Sequence, residues 1–201
     1  MPLSTRTAAA VALALLSGLP ASFAAPDADL VNDPKRVVST LGFSFLPPEG
    51  PSWSEQFETH QITYLKKTDP SLVSFYTAAV EGRLRSSLTT KDELVAFVRS
   101  KKDQWGDGAR FSSISTSFQV EEKNDSCVRY RLSAHDRDAK NKGKHELLEM
   151  RTVGRFCTHP HDKGAGVDVF YSVRHVPAFD PKNLVSEGEA FLQSLRFEKT
   201  R

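Results

Sequence analysis

Two segments near the middle of the chain alternate strictly between apolar and polar positions. In the first, Val128, Tyr130, Leu132 and Ala134 alternate with Arg129, Arg131, Ser133 and His135. In the second, Leu148, Met150, Thr152 and Phe156 alternate with Glu149, Arg151, Val153 and Arg155. A period of two reads as a half-buried strand. Asn141-Lys142-Gly143 between them supplies a turn, with a glycine free to take positive φ. A hairpin centred on Lys142 places Val128 opposite Phe156, Leu132 opposite Thr152 and Ala134 opposite Met150. It also sets Tyr130 over Gly154, where a ring can cover bare backbone. The same register puts Cys127 opposite Cys157, His135 opposite Glu149 and Arg129 opposite Arg155.

The remaining pattern predicts further strands at Gly42–Phe45, Gln61–Lys66, Leu72–Val80, Arg110–Glu122 and Gly166–Val176. Leu72–Val80 is apolar at both parities, which predicts a strand covered on both faces. Pro47-Pro48-Glu49-Gly50-Pro51 forces a turn, after which Trp53 folds back on the core. Thr90-Lys91-Asp92-Glu93 has the form of a capping box. The helix it opens carries Leu94, Phe97, Val98 and Trp105 on one stripe, with Gly106 as its stop. A second helix is expected near Asp180, with Asp180 as N-cap, Pro181 as first helical residue and Phe179 with Leu184 as a hydrophobic staple. Leu184, Gly188, Phe191 and Leu195 share its inner face, and Gly188 lets the helix backbone approach the sheet.

The chain has 201 residues, 26% of them charged and 39% hydrophobic, with a net charge of +2. Those values belong to a globular domain and exclude a polytopic membrane protein or a disordered polyelectrolyte. A charge so close to zero gives no bulk attraction to nucleic acid. Lys140, Lys142 and Lys144 at the hairpin tip lack the interleaved aromatics of a nucleic-acid platform and read as a solvated turn. Residues 1–24 contain one charge, Arg6, then the apolar run Ala8 to Leu16, then Ser22-Phe23-Ala24. That is the order of a secretory signal peptide cleaved after Ala24, and the run is too short to span a bilayer. Residues 25–40 read as a loose leader and 41–201 as one domain. No second apolar segment follows, so no stable membrane insertion is expected after cleavage. Export makes Cys127 and Cys157, the two cysteines of the chain, a disulfide pair. The register derived from the hydrophobic pattern supports it independently, since directly opposed residues lie within disulfide reach.

Candidate chemistry is sparse. Arg129, Arg131, Arg151 and Arg155 share the face away from the first core layer. Like charges opposed across strands are unfavourable unless something negative lies between them. Carboxylates such as Glu121, Glu149, Asp168 or Glu187 would do so, and so would an anionic ligand held by Arg forks. With Arg174 these residues form the candidate ligand surface. His159, His161 and Asp162 are metal-ligand types in one loop, the weaker candidate site. There is no Gly-x-Ser-x-Gly elbow and no phosphate- or dinucleotide-binding glycine loop.

Several of these segments occur in a recognisable order. They are Gly42 to Gly50, Cys127-Val128-Arg129-Tyr130, Gly154 to Pro160 with its Cys-Thr-His-Pro, Tyr171-Ser172-Val173-Arg174 and Gly188 to Leu195. In that order they resemble a group of exported bacterial proteins of unknown function. The resemblance spans nearly all of residues 25–201; it implies export and the disulfide, and no reaction. The element order is similar to the Mog1/PsbP-like architecture, whose members are mostly accessory or binding proteins.

The sequence therefore predicts one α+β domain: a six- or seven-stranded, mainly antiparallel sheet packed on two principal helices, with one cross-strand disulfide. The expected function is that of an exported, non-catalytic binding or accessory protein without cofactor, taking a small anion or an envelope partner on its Arg-bearing face. One alternative is a metal-binding protein or enzyme using His159, His161 and Asp162. Another is an envelope adaptor anchored by exposed aromatics such as Trp53.

Overall fold

The computed structural model describes residues 29–30, 35–50, 52–68, 73–103, 110–122, 124–141 and 144–198. The predicted signal peptide, Trp105, Gly106 and the turn residues Lys142 and Gly143 lie outside them. The elements run β1 (Asp29–Leu30), β2 (Val37–Val38), β3 (Phe43–Phe45), β4 (Trp53–Glu58), β5 (Gln61–Lys66), β6 (Val73–Arg83), α1 (Lys91–Lys102), β7 (Phe111–Glu121), β8 (Asn124–Asn141), β9 (Lys144–Thr158), β10 (Ala165–His175), α2 (Lys182–Gln193) and β11 (Arg196–Phe197). Eight strands form one sheet in the order β1-β4-β5-β6-β10-β9-β8-β7, and β11-β3-β2 form a second, small sheet. All pairings are antiparallel. The α+β class, the two helices and the disulfide are as the sequence predicts. The strands β1, β2, β4 and β11 go beyond the prediction.

The central hairpin has the expected register from Cys127↔Cys157 through Asp136↔Leu148. A shift between Asp136 and Ala139 then moves the tip by one residue, so Asn141 pairs with Lys144. The disulfide joins Cys127 to Cys157 with Cα atoms 4.1 Å apart. Both cysteines are fully buried.

Each face of the sheet carries its own helix. On one face α1 packs over β7 and β8, and Leu94 and Val98 meet Ala78, Val128, Tyr130, Phe156 and Phe170. On the other, α2 packs over β10 and β6, where Leu184, Phe191 and Leu192 meet Tyr64, Phe75, Val169 and Tyr171. The small sheet closes this second core with Phe43 and Phe45. The strand predicted to be covered on both faces, β6, gives Phe75 and Ala79 to one core and Ala78 to the other, and β8, β9 and β10 likewise contribute to both.

Local chemistry accounts for the helix ends. The Thr90 side chain accepts from Glu93 N, and Glu93 Oε2 accepts from Thr90 N at 3.0 Å and Thr89 N at 2.9 Å. Those backbone donors hold the Glu93 carboxyl below its ordinary pKa. Helix α1 ends at Lys102 with Asp103 as C-cap. Helix α2 begins at Lys182 with Pro181 in the cap position, one residue later than predicted. Asp180 is therefore not the N-cap, and from the position before the cap its Oδ1 accepts from Lys182 N at 3.2 Å.

Two glycines allow close approach. A Cβ at Gly154 would lie 2.2 Å from the Tyr130 ring, and one at Gly188 would lie 2.3 Å from the Tyr171 ring. The first is the predicted aromatic cover; the second brings α2 onto the sheet. Within residues 25–40 the described residues are 29–30 and 35–40. β1 pairs with β4 and β2 with β3. Arg36 Nη1 donates to Ser44 Oγ at 3.2 Å and to Ser194 O at 2.9 Å, which ties this stretch to the body of the domain.

Candidate functional site

Strand alternation places Arg129 and Arg131 of β8 and Arg151 and Arg155 of β9 on the face that α2 packs against. Helix α2 covers the β6–β10 side of that face. Among the described residues no helix covers the β7–β9 side beyond Val153, and it presents Ser115, Ser117 and Gln119 beside Arg129, Arg131 and Ser133. A shallow depression of about 270 Å³ lies over Ser117, Gln119, Arg129 and Arg131. A second of about 380 Å³ lies over Ser113, Ser133, His135, Glu149 and Arg151. Ser113 has φ 52°, a left-handed backbone that glycine takes more readily. It belongs to a bulge in which Ser113 and Ile114 share the space opposite Ala134.

The predicted opposition of Arg129 and Arg155 is present, and carboxylates from outside the hairpin relieve it. Arg129 Nη2 donates to both oxygens of Glu189 on α2, at 2.5 and 2.6 Å. Arg155 Nη2 donates to Glu121 Oε2 at 2.5 Å. Arg151 Nη2 donates to Glu149 Oε2 at 3.3 Å. Arg131 is exposed, and among the described residues it has no ion pair. Of the carboxylates proposed from sequence, Glu121 and Glu149 neutralise arginines. Glu187 instead pairs with Lys66, and Asp168 with Lys102. Glu189 was missed. It follows the close-approach residue Gly188, and that neighbour was the available signal.

Arg174 does not join this surface. In β10 it pairs in register with Met150, a residue of the opposite face, and its Nη1 lies 3.7 Å from the fully buried Asp136. Arg110 binds the same carboxylate through Nε and Nη2, both at 2.8 Å. Two guanidiniums around one buried carboxylate form a structural cluster at the end of the core of Leu132, Ala134, Met150 and Phe111.

The histidine loop is likewise a packing device. His159 is fully buried among Phe43 and Phe197. Its Nε2–H donates to Glu198 O at 3.0 Å, and its Nδ1 accepts from His161 N at 3.3 Å. Both ring nitrogens are therefore engaged. Asp162 pairs with Arg83, whose hydrogen bond pulls the carboxyl below its ordinary pKa. Among the described residues no three His, Cys, Asp or Glu side chains gather around a point that could hold a metal ion. Trp53 is fully buried, with its ring centroid 5.4 Å from that of Phe75, so it folds back on the core and is not a surface anchor.

A buried polar group on the α1 face was not legible in the sequence. Lys102 Nζ donates to Asp168 Oδ2 at 2.6 Å and lies 4.3 Å from the centre of the Tyr130 ring. Tyr130 Oη donates to Asp168 Oδ1 at 2.9 Å. Burial, then the charge on Asp168, drives the Tyr130 hydroxyl well above its ordinary pKa. Tyr171 is raised in the same way, by burial and then by Glu189.

No helix among the described residues is long and apolar enough to cross a membrane. No family model matches the chain, and no curated protein does. Among solved structures, a mutant of protein Mog1 is similar, with 9% identity and a TM-score of 0.45 over 84% of this chain and 97% of that one. The Ran-binding protein Mog1p of Saccharomyces cerevisiae is similar at 8% identity and a TM-score of 0.43, over 82% of this chain and 95% of that one.

Proposed function

We propose that the chain is an exported, non-catalytic accessory protein that binds an anionic group on the uncovered β7–β9 side of its sheet. The group belongs to a small molecule or to an envelope protein. Arg131 is the anchor, while Arg129, Arg151 and Arg155 beside it are already paired with carboxylates of the chain. The observation that carries this reading is the contrast among the four arginines: three are held by carboxylates of the chain, and Arg131 faces solvent beside Ser117 and Ser133. A guanidinium offers a planar fork to a carboxylate or phosphate, and flanking hydroxyls add donors. Export is supported by the order of charge, apolar run and small residues in 1–24 and by the disulfide. The likeness of the quoted segments to exported bacterial proteins supports it too.

Native mass spectrometry of protein purified from its exporting cell tests both parts. The expected denatured mass is that of residues 25–201 less two hydrogens, and the expected native mass carries an added anion or partner that Arg131→Ala loses. A chain retaining residues 1–24 contradicts export, and an adduct indifferent to Arg131 contradicts the site.

A further inference from the structure

The two edges of the large sheet are protected differently. At one edge β4 carries Glu55 and Glu58 and is partly covered by β1. At the other, among the described residues, β7 pairs with β8 alone. Its segment Ser115–Val120 reads Ser-Thr-Ser-Phe-Gln-Val, with no charge and no proline. A regular, uncharged edge leaves a row of backbone donors and acceptors open for another strand. Just before it stands Ile114, a large apolar residue 39% exposed.

The segment complements itself. A two-fold axis through Ser117 pairs Ile114 with Val120, Ser115 with Gln119 and Thr116 with Phe118 of a second copy. Ile114, Thr116, Phe118 and Val120 then lie on one face, and Ser115, Ser117 and Gln119 on the other. β-branched residues meet apolar or aromatic ones, which are favoured cross-strand pairs. No like charges are opposed, and Glu121 falls opposite Ser113. An isologous interface demands this kind of self-complementarity.

We infer that two copies of the chain join edge to edge through β7, about an axis at Ser117, and so complete a shared anion site that a single copy holds only in half. Ser117 is directly opposite Arg131 in the ladder. Pairing therefore produces the row Arg131, Ser117, Ser117 of the second copy, Arg131 of the second copy. The two arginines stand about 14 Å apart, three inter-strand spacings of about 4.8 Å each. One exposed arginine is a weak anion site. Two on one continuous face bind an elongated polyanion with avidity. The ligand part rests on the function proposed above; the pairing does not.

Cysteine cross-linking of the exported chain tests the pairing and its register. Ser117 lies on the axis and meets its own copy within disulfide reach. Ser117→Cys is expected to form a covalent dimer many-fold faster under mild oxidation than Gln119→Cys alone or Ser86→Cys, two exposed controls. The native disulfide is buried and does not compete. Ser117→Lys opposes two like charges at the axis and is expected to yield a monomer by sedimentation. It should also bind linear polyphosphate at least several-fold more weakly than wild type, although it adds a positive charge. Equal cross-linking of the three cysteines with a monomeric wild type overturns the inference and leaves the edge to an extended segment of another protein. Fastest cross-linking at Gln119 overturns the register. A cross-linked dimer that ignores polyphosphate keeps the pairing and removes the anion reading. Arg131-dependent binding by a monomer does the reverse.

Discussion

One face of the sheet has two halves with opposite fates. Under α2, β6 and β10 present Phe75, Ala79, Val169, Tyr171 and Val173, all buried. Further across, β9 and β8 present Arg151, Arg155, Arg129 and Arg131 at positions of the same parity. Strand pairing puts both halves on the same face, and periodicity along each strand does not say which half receives a helix. The helix supplies its own answer. Gly188 lets α2 sit on Tyr171, and the next residue, Glu189, reaches Arg129 and accepts from Tyr171 Oη at 3.0 Å. Glu189 thus ties Arg129 to the covered half, and Arg131, which has no ion pair among the described residues, lies in the open half.

The largest effect is expected from breaking the disulfide. Replacing Cys127 and Cys157 by serine should lower unfolding stability by about 3–4 kcal/mol, the chain-entropy value for a loop of this size, as read by denaturant titration. The next follows from filling the space on which the covered half depends. Gly188→Ala pushes a methyl into Tyr171 and should destabilise by about 1–3 kcal/mol, with a matching fall in Tm.

High pH strikes the covered regions of both faces. Tyr130, Tyr64 and Tyr171 all have pKa values raised above their ordinary 10.0, mainly by burial. A raised folded-state pKa means that their contribution is intact below pH 10.0 and is lost as pH rises from there toward the folded values. Thermal unfolding between pH 8 and 11 should show a Tm that falls only in the upper part of that range.

The smallest effects separate the arginines. Arg129→Ala leaves Glu189 without its guanidinium and should cost about 1 kcal/mol. Arg131→Ala breaks no ion pair among the described residues and should change stability by less than about 0.5 kcal/mol. Equal losses from the two would erase the distinction between the halves.

Most of the sheet could be read from local pattern. The hairpin register followed from alternation and one glycine turn, and it carried the disulfide, the Tyr130–Gly154 cover and the Arg129–Arg155 opposition with it. The shift beyond Asp136 was illegible, because the pattern weakens toward the charged tip. β4 was missed because Trp53-Ser54-Glu55-Gln56-Phe57-Glu58 lacks clean alternation. The edge strand β1 and the two outer strands of the small sheet, β2 and β11, span two residues each, too short to show any period. Arg174 was grouped with the wrong face because its relation to the hairpin depends on how β10 registers with β9, which no local pattern states. His159 looked like a ligand in sequence; only tertiary packing against Phe43 and Phe197 makes it a core residue. Lys102 and Asp168 are 66 residues apart, and their pairing depends on where α1 crosses the sheet.

The most direct test compares arginines from opposite faces. Titration of linear polyphosphate into wild type, Arg131→Ala and Arg174→Ala at low and high salt reads the site itself. The account predicts that Arg131→Ala weakens binding at least several-fold and Arg174→Ala leaves it unchanged. Equal weakening by both, or none by Arg131→Ala, would contradict a binding surface on the uncovered half of the sheet.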